Sequence, residues 1–203
     1  MATELHHLDQ HDSDLVPDAA DMHFGIVVAD YNPTITHALL DGCYQTLTQY
    51  GAKPEHICVW HTPGAFELPL SAQLLHRATQ PDAVICLGCV IKGDTDHDKY
   101  INAAVSQAIM RLGLKYRKPF VFGVLTPNTL TQAQDRAGGK HGNKGTEAAV
   151  AAIQMVALCQ HAAQLRQQRH ENFLAAIDQQ FRQAAQEVAG QWYRVLMAIG
   201  VSR

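Results

Sequence analysis

The chain predicts an α/β fold, a three-layer sandwich with a four-stranded parallel sheet between helical layers, plus a C-terminal helical extension. Three observations lead there. Short apolar runs of strand length alternate with amphipathic stretches of helix length, the pattern of successive βαβ units with right-handed crossovers. The strand runs are apolar at nearly every position rather than at alternate ones, as in strands covered on both faces. The chain has 203 residues, 47% of them hydrophobic, which suits one domain with extensions better than two full domains.

Residues 1–22 are rich in Asp and His and lack periodic hydrophobics, so they read as a mobile, solvated tail containing His6, His7 and His11. The α/β domain is expected over residues 23–160. Its strands are predicted at Phe24–Ala29, Ile57–His61, Ala83–Ile91 and Phe120–Leu125. Helices are predicted at Pro33–Tyr50, Ala65–Arg77, Asp96–Leu114 and Thr129–Ala137, and from Gly145 onward. In the first helix Asn32 is placed to cap, Pro33 suits the first turn, and Ile35, Leu39, Cys43 and Leu47 recur every fourth residue. Thr95 with Asp98 three positions on fits a capping signature for the third. Ile101, Val105, Ile109 and Leu112 form its apolar stripe. Residues 161–203 are Gln-rich but keep anchors at Phe173, Ile177, Phe181, Val188, Trp192 and Leu196, a pattern of one or two amphipathic helices added to a complete domain.

Charge and composition exclude several classes. A net charge of −3 offers no global basic field for nucleic acid or an anionic membrane. No uninterrupted apolar run approaches the roughly 18 residues of a spanning helix. The N-terminus, Met-Ala-Thr-Glu-Leu-His-His, is unlike a secretory signal, so a cytoplasmic location is expected. The five cysteines do not have the spacing of a disulfide framework. Cys86-Leu-Gly-Cys89 matches C-x-x-C, but it lies inside an apolar strand and has no second pair at zinc-like spacing, so it reads as two buried core residues. No metal site is expected.

Four strand ends supply the candidate chemistry. After the first strand comes Asp30-Tyr31-Asn32-Pro33, with an aromatic ring at the rim. After the second comes Thr62-Pro-Gly-Ala-Phe-Glu-Leu-Pro69, with the lone carboxylate of Glu67 at a helix start. The third ends at Lys92-Gly93-Asp94-Thr95, whose backbone N–H groups can cradle an anion, with His97 beside them in the first helical turn. Open parallel sheets bind ligands at this carboxyl edge. After the fourth strand, residues 135–145 hold Arg136, Lys140, His141 and Lys144 among four glycines, so backbone can approach a ligand closely. No G-x-S-x-G elbow, P-loop or G-x-G-x-x-G turn is present.

Four blocks together resemble the lumazine synthase family: Gly25-Ile-Val-Val-Ala-Asp-Tyr-Asn32, Pro63-Gly-Ala-Phe-Glu-Leu-Pro69, Gly88-Cys-Val-Ile-Lys-Gly-Asp-Thr-Asp-His97, and Phe122-Gly-Val-Leu-Thr126 leading to Asp135-Arg-Ala-Gly138 and Gly142-Asn-Lys-Gly145. The resemblance covers about residues 23–160. It implies a flavodoxin-like sandwich and the penultimate reaction of riboflavin biosynthesis. That reaction condenses 5-amino-6-(D-ribitylamino)uracil with 3,4-dihydroxy-2-butanone 4-phosphate to 6,7-dimethyl-8-ribityllumazine, releasing phosphate and water. It implies no metal and no cofactor. His97 is then the general acid/base. Tyr31 stacks on the pyrimidine, where the family usually has Phe or Trp, and Asn32 lies beside it. Glu67 with the backbone of Ala65 and Phe66 holds the ribityl hydroxyls. Val90 and Ile91, through their backbone, and Lys92 read the uracil edge. Gly93, Asp94, Thr95, Arg136 and Lys144 form the phosphate site, and Phe122 reaches in from an adjacent subunit. The implied partners are two small-molecule substrates, further copies of the chain in a pentamer with sites between neighbours, and riboflavin synthase, with no nucleic acid and no membrane. A flavin- or lumazine-binding protein without catalysis, or a shell-forming protein of the same fold, is the alternative.

Overall fold

The computed structural model describes residues 16–198; His6, His7 and His11 lie outside them. The chain divides into two compact units, with the division between Cys159 and Gln160. The first unit is built on strands β1 (Phe24–Ala29), β2 (Ile57–Thr62), β3 (Ala83–Cys89) and β4 (Phe120–Leu125). They form one parallel sheet in the order β2-β1-β3-β4. Helices α1 (Pro33–Gln49), α2 (Leu68–Thr79) and α3 (His97–Tyr116) make the crossovers. Helix α4 (Leu130–Asp135), a short hairpin of β5 (Ala137–Gly139) and β6 (Gly142–Asn143), and helix α5 (Lys144–Ala198) complete the order.

Side-chain alternation along the two central strands sorts the core into two layers. Phe24, Ile26 and Val28 of β1, with Ile85 and Leu87 of β3, face α1 and the start of α5, where Ile35, Leu39, Cys43, Leu47, Val150 and Ile153 are buried. Val27 and Ala29 with Val84 and Cys86 face α2 and α3, where Leu68, Leu75, Val105 and Ile109 are buried. The outer strands are less covered: β2 is half-buried from Ile57 to Trp60. Gly25 is required by packing, because a Cβ there would overlap the Leu75 side chain. Gly145 is required more strictly, because its Cβ would overlap the Leu39 carbonyl oxygen on α1.

Several expectations change in detail. The sequence ends the polar tail at residue 22, yet Val16, Ala19 and Met22 are buried in the α1 layer, and the Ala19 N–H donates to the Tyr50 carbonyl at 2.7 Å. Strand β3 stops at Cys89, and Val90 and Ile91 continue as irregular, half-exposed chain. The expected second helix starts as a 3₁₀ turn over Ala65–Glu67 before becoming α-helical at Leu68. The Thr95–Asp98 capping pair does not form: Asp96 occupies the cap position of α3 without a side-chain bond. A side-chain cap does form at α4, where Thr129 Oγ1 accepts from the Gln132 N–H at 3.2 Å.

The extension is a single helix rather than two. From Lys144 to Ala198 there is no proline and no glycine after Gly145 except Gly190, and Ala, Gln and Arg are strong helix formers. Part of α5 is long and apolar enough, by length and composition, to match a membrane span. Its buried residues from Gly145 to Val156 supply core packing to the first unit. Cys43, Cys86 and Cys89 are buried; desolvation pushes the Cys43 thiol far up, Cys86 to about 12 and Cys89 to about 11. Cys58 and Cys159 are half-buried.

Candidate active site

The site is assembled from the chain segments that leave β1, β2 and β3 at their carboxyl ends. Asn32 follows β1 with left-handed backbone (φ 62°, ψ 55°), a conformation that Asn tolerates better than most residues. Its side chain does not cap α1 as expected. The Nδ2 group instead donates to the Cys89 carbonyl at 3.1 Å, tying the end of β1 to the end of β3. The helix start is served by the Asn32 backbone carbonyl, which accepts from the Ile35 and Thr36 N–H groups.

Beside this tie opens a cavity of about 570 Å³, a volume suited to a small-molecule ligand. Tyr31 and Asn32 form one wall, Gly64, Ala65, Phe66 and Glu67 a second, and Cys89 to Gly93 a third. Thr95, His97, Asp98 and Ile101 close the remaining side. Tyr31 is 72% exposed and Phe66 61%, so neither ring is a core packing residue. His97 is the first residue of α3 and is exposed. The backbone N–H groups of Gly93, Asp94 and Thr95 make no backbone hydrogen bond, and a Cβ at Gly93 would meet nothing within 4 Å. This turn therefore offers open donors beside an imidazole. Asp98 Oδ1 is buried without a hydrogen-bond partner, leaving an acceptor in the cavity wall.

Eleven of the sequence-predicted residues thus line one cavity: Tyr31, Asn32, Ala65, Phe66, Glu67, Val90, Ile91, Lys92, Gly93, Thr95 and His97. Asp94 is exposed and stands off its wall. Phe122 is half-buried in β4, packed against the α2–α3 layer. Arg136 and Lys144 belong to another group, centred on Glu147. Arg136 Nη2 lies 2.6 Å from Glu147 Oε1, and Lys144 Nζ lies 2.9 Å from Oε2. Arg136 Nη1 also donates to the His141 carbonyl at 2.6 Å, and the Lys144 N–H to the Arg136 carbonyl at 2.9 Å. Burial raises the Glu147 pKa, but hydrogen bonds from Lys144 and Arg136 outweigh it and hold the carboxyl below its ordinary value. Arg136 also lines a smaller cavity of about 250 Å³ with Leu125, Thr126, Pro127 and Gln132.

Glu147 was not legible as a site residue, although Lys144-Gly-Thr-Glu147 has the i,i+3 spacing of a helical ion pair. Gly64, Cys89 and Ile101 join the cavity through the fold alone.

An open parallel sheet with a small-molecule cavity at its carboxyl edge, lined by an exposed histidine and a turn with open N–H groups, is the arrangement of an α/β protein that takes a small ligand at its strand ends. The family model for 6,7-dimethyl-8-ribityllumazine synthase matches residues 21–160. Among similar proteins, a 6,7-dimethyl-8-ribityllumazine synthase of Parabacteroides distasonis is 51% identical over 156 residues, covering 77% of this chain and 98% of the relative. Those of Porphyromonas gingivalis (47% identical, 78% and 98% covered) and Phocaeicola vulgatus (45%, 77% and 93%) are also similar. The chain belongs to the 6,7-dimethyl-8-ribityllumazine synthase family.

Proposed function

We propose that this chain is an active transferase of riboflavin biosynthesis, condensing 5-amino-6-(D-ribitylamino)uracil with 3,4-dihydroxy-2-butanone 4-phosphate to 6,7-dimethyl-8-ribityllumazine, with loss of phosphate and water. One observation carries the reading. Tyr31, Glu67 and His97 come from three different strand ends yet line one cavity, in a chain about half identical, over the roughly three quarters of its length that match, to relatives bearing that name.

The roles follow from the chemistry. The substrate amine adds to the ketone carbon and water is lost, giving a Schiff base. Phosphate is then eliminated, and the ribitylamino nitrogen closes the ring on the remaining carbonyl carbon, expelling a second water. Protons move at each stage, and a solvent-facing imidazole can both take and return them, which assigns His97. Tyr31 stacks on the pyrimidine, with Asn32 fixing the backbone that presents it. Glu67 and the Ala65–Phe66 backbone bind the ribityl hydroxyls, while Val90, Ile91 and Lys92 read the uracil edge. The Gly93–Thr95 turn receives the phosphate through its N–H groups and the Thr95 hydroxyl.

Arg136, Lys144 and Phe122 do not line the cavity that holds His97. We assign them to the cavity of a neighbouring copy, so that a ring of subunits, a pentamer, carries the complete sites. A cytoplasmic enzyme delivering its product to riboflavin synthase fits this reading.

Purified protein given the two substrates without added metal should form lumazine, read by absorbance, well above the uncatalysed rate. A folded protein that only matches the background refutes the assignment. His97→Ala should slow turnover while leaving assembly intact. Mixing subunits of His97→Ala and Arg136→Ala tests sharing: random reassembly leaves about a quarter of sites intact if each site draws on two copies. No recovery of activity would return Arg136 to its own subunit's site.

A further inference from the structure

Asp30, His37 and His61 come from three different elements and do not line the cavity, yet their side chains converge on one another. His61 Nδ1 lies 2.7 Å from Asp30 Oδ1, His37 Nε2 lies 3.8 Å from the same oxygen, and all three ligand atoms fall within 4.8 Å of one another. We propose that these three side chains form a binding site for a divalent transition-metal ion of the zinc class, separate from the condensation chemistry.

The donor set supports this. Two imidazoles and one carboxylate suit zinc and its neighbours, while magnesium and calcium prefer oxygen ligands. Ligand atoms about 2.0–2.1 Å from a tetrahedral zinc ion sit about 3.3 Å apart, between the separations observed. All three side chains are exposed, so modest rotations reach that geometry.

Their backbones, by contrast, are set by the core. Asp30 follows the buried Ala29, His61 precedes the buried Thr62, and His37 follows the buried Ile35 and Thr36. The Asp30 N–H also donates to the Thr62 carbonyl at 2.8 Å, holding the two strand ends in register. Three rigid elements thus present one ligand each, and solvent can complete the coordination. A bound ion would join the ends of β1 and β2 to the first turns of α1, one residue from Tyr31.

Zinc titration of the full-length, metal-free protein by calorimetry tests this, with the double variant His37→Ala/His61→Ala compared directly. Histidines elsewhere bind equally in both, so the difference isolates this site. The expected result is one fewer zinc ion per chain, with affinity here reduced at least about 100-fold, more than loss of a supporting outer-shell partner typically costs. Cobalt should give visible d–d absorption in the wild type that is absent from the variant. Identical isotherms and identical cobalt spectra would overturn the proposal. If the double variant precipitates, Asp30→Asn and His37→Ala are read singly, and undiminished zinc affinity in either overturns it as well.

Discussion

Glu147 is the residue whose removal reports most directly on how the Arg136 group is built. Glu147→Gln keeps the side-chain shape but removes the charge shared by two cations. The side chain of Glu147 is 6% exposed, whereas those of Arg136 and Lys144 are 22% and 29% exposed. Removing one member of a fully buried pair costs about 3–5 kcal/mol. Here the amide oxygen can still accept from Arg136, and water reaches both cations, which lowers the expected cost to about 2–3 kcal/mol. At this chain length that is about 4–12 °C in the thermal midpoint. The pH dependence gives a second reading. The folded-state carboxyl is held below its ordinary value of 4.5, so its contribution is complete above that value and is lost as pH falls through the depressed folded value. Wild type and variant should therefore differ fully at pH 7, begin to converge as pH falls below about 4.5, and meet only below the depressed folded value. Thermal and urea unfolding at fixed protein concentration measure both, the fixed concentration removing any effect of assembly. A variant as stable as the wild type at pH 7, or a gap that persists in acid, would refute the ion-pair account.

Three further substitutions test other contacts. Asn32→Ala loses the bond to the Cys89 carbonyl and strains the left-handed backbone, costing about 2 kcal/mol by urea unfolding, whereas Asn32→Gly keeps the backbone and costs about 1 kcal/mol less; equal costs would mean the φ of 62° carries no strain. Gly145→Ala drives a methyl group into the Leu39 carbonyl on α1 and should destabilise by about 3 kcal/mol, since backbone yields less than a side chain; a neutral result would show that α1 and α5 can separate. Arg136→Ala should weaken use of the phosphorylated substrate far more than pyrimidine binding, and equal losses for both ligands in titrations would remove the phosphate assignment.

Much of the first unit was legible because its signals are local. The bounds of β1 and β4 agree to the residue, since each run is apolar and punctuated at both ends by polar or turn-forming residues. The cavity residues were legible because strand ends in an alternating α/β chain converge on one edge of the sheet. What was missed depends on tertiary context. Asn32 is a fair cap by composition, but the neighbouring Cys89 carbonyl competes for its side chain. Asp98 reads as half of a capping pair, yet its Oδ1 ends up buried and unpartnered. Glu147 looks like one more acidic residue in a first helical turn until the β5–β6 hairpin brings Arg136 to it. The unity of α5 was hidden by a change of composition near Gln160, where apolar residues give way to Gln and Arg without any residue that stops a helix.

The burial of three cysteines also sorts the chain for chemical modification. A thiol reacts as its thiolate, so Cys86 and Cys89, held near 12 and 11, and Cys43, pushed higher still, are poor targets near neutral pH. Maleimide reagents should therefore reach Cys58 on β2 and Cys159 at the end of the first unit first. One conservative substitution at either leaves a single addressable position, so a fluorophore or spin label can be attached with the remaining thiols left in place.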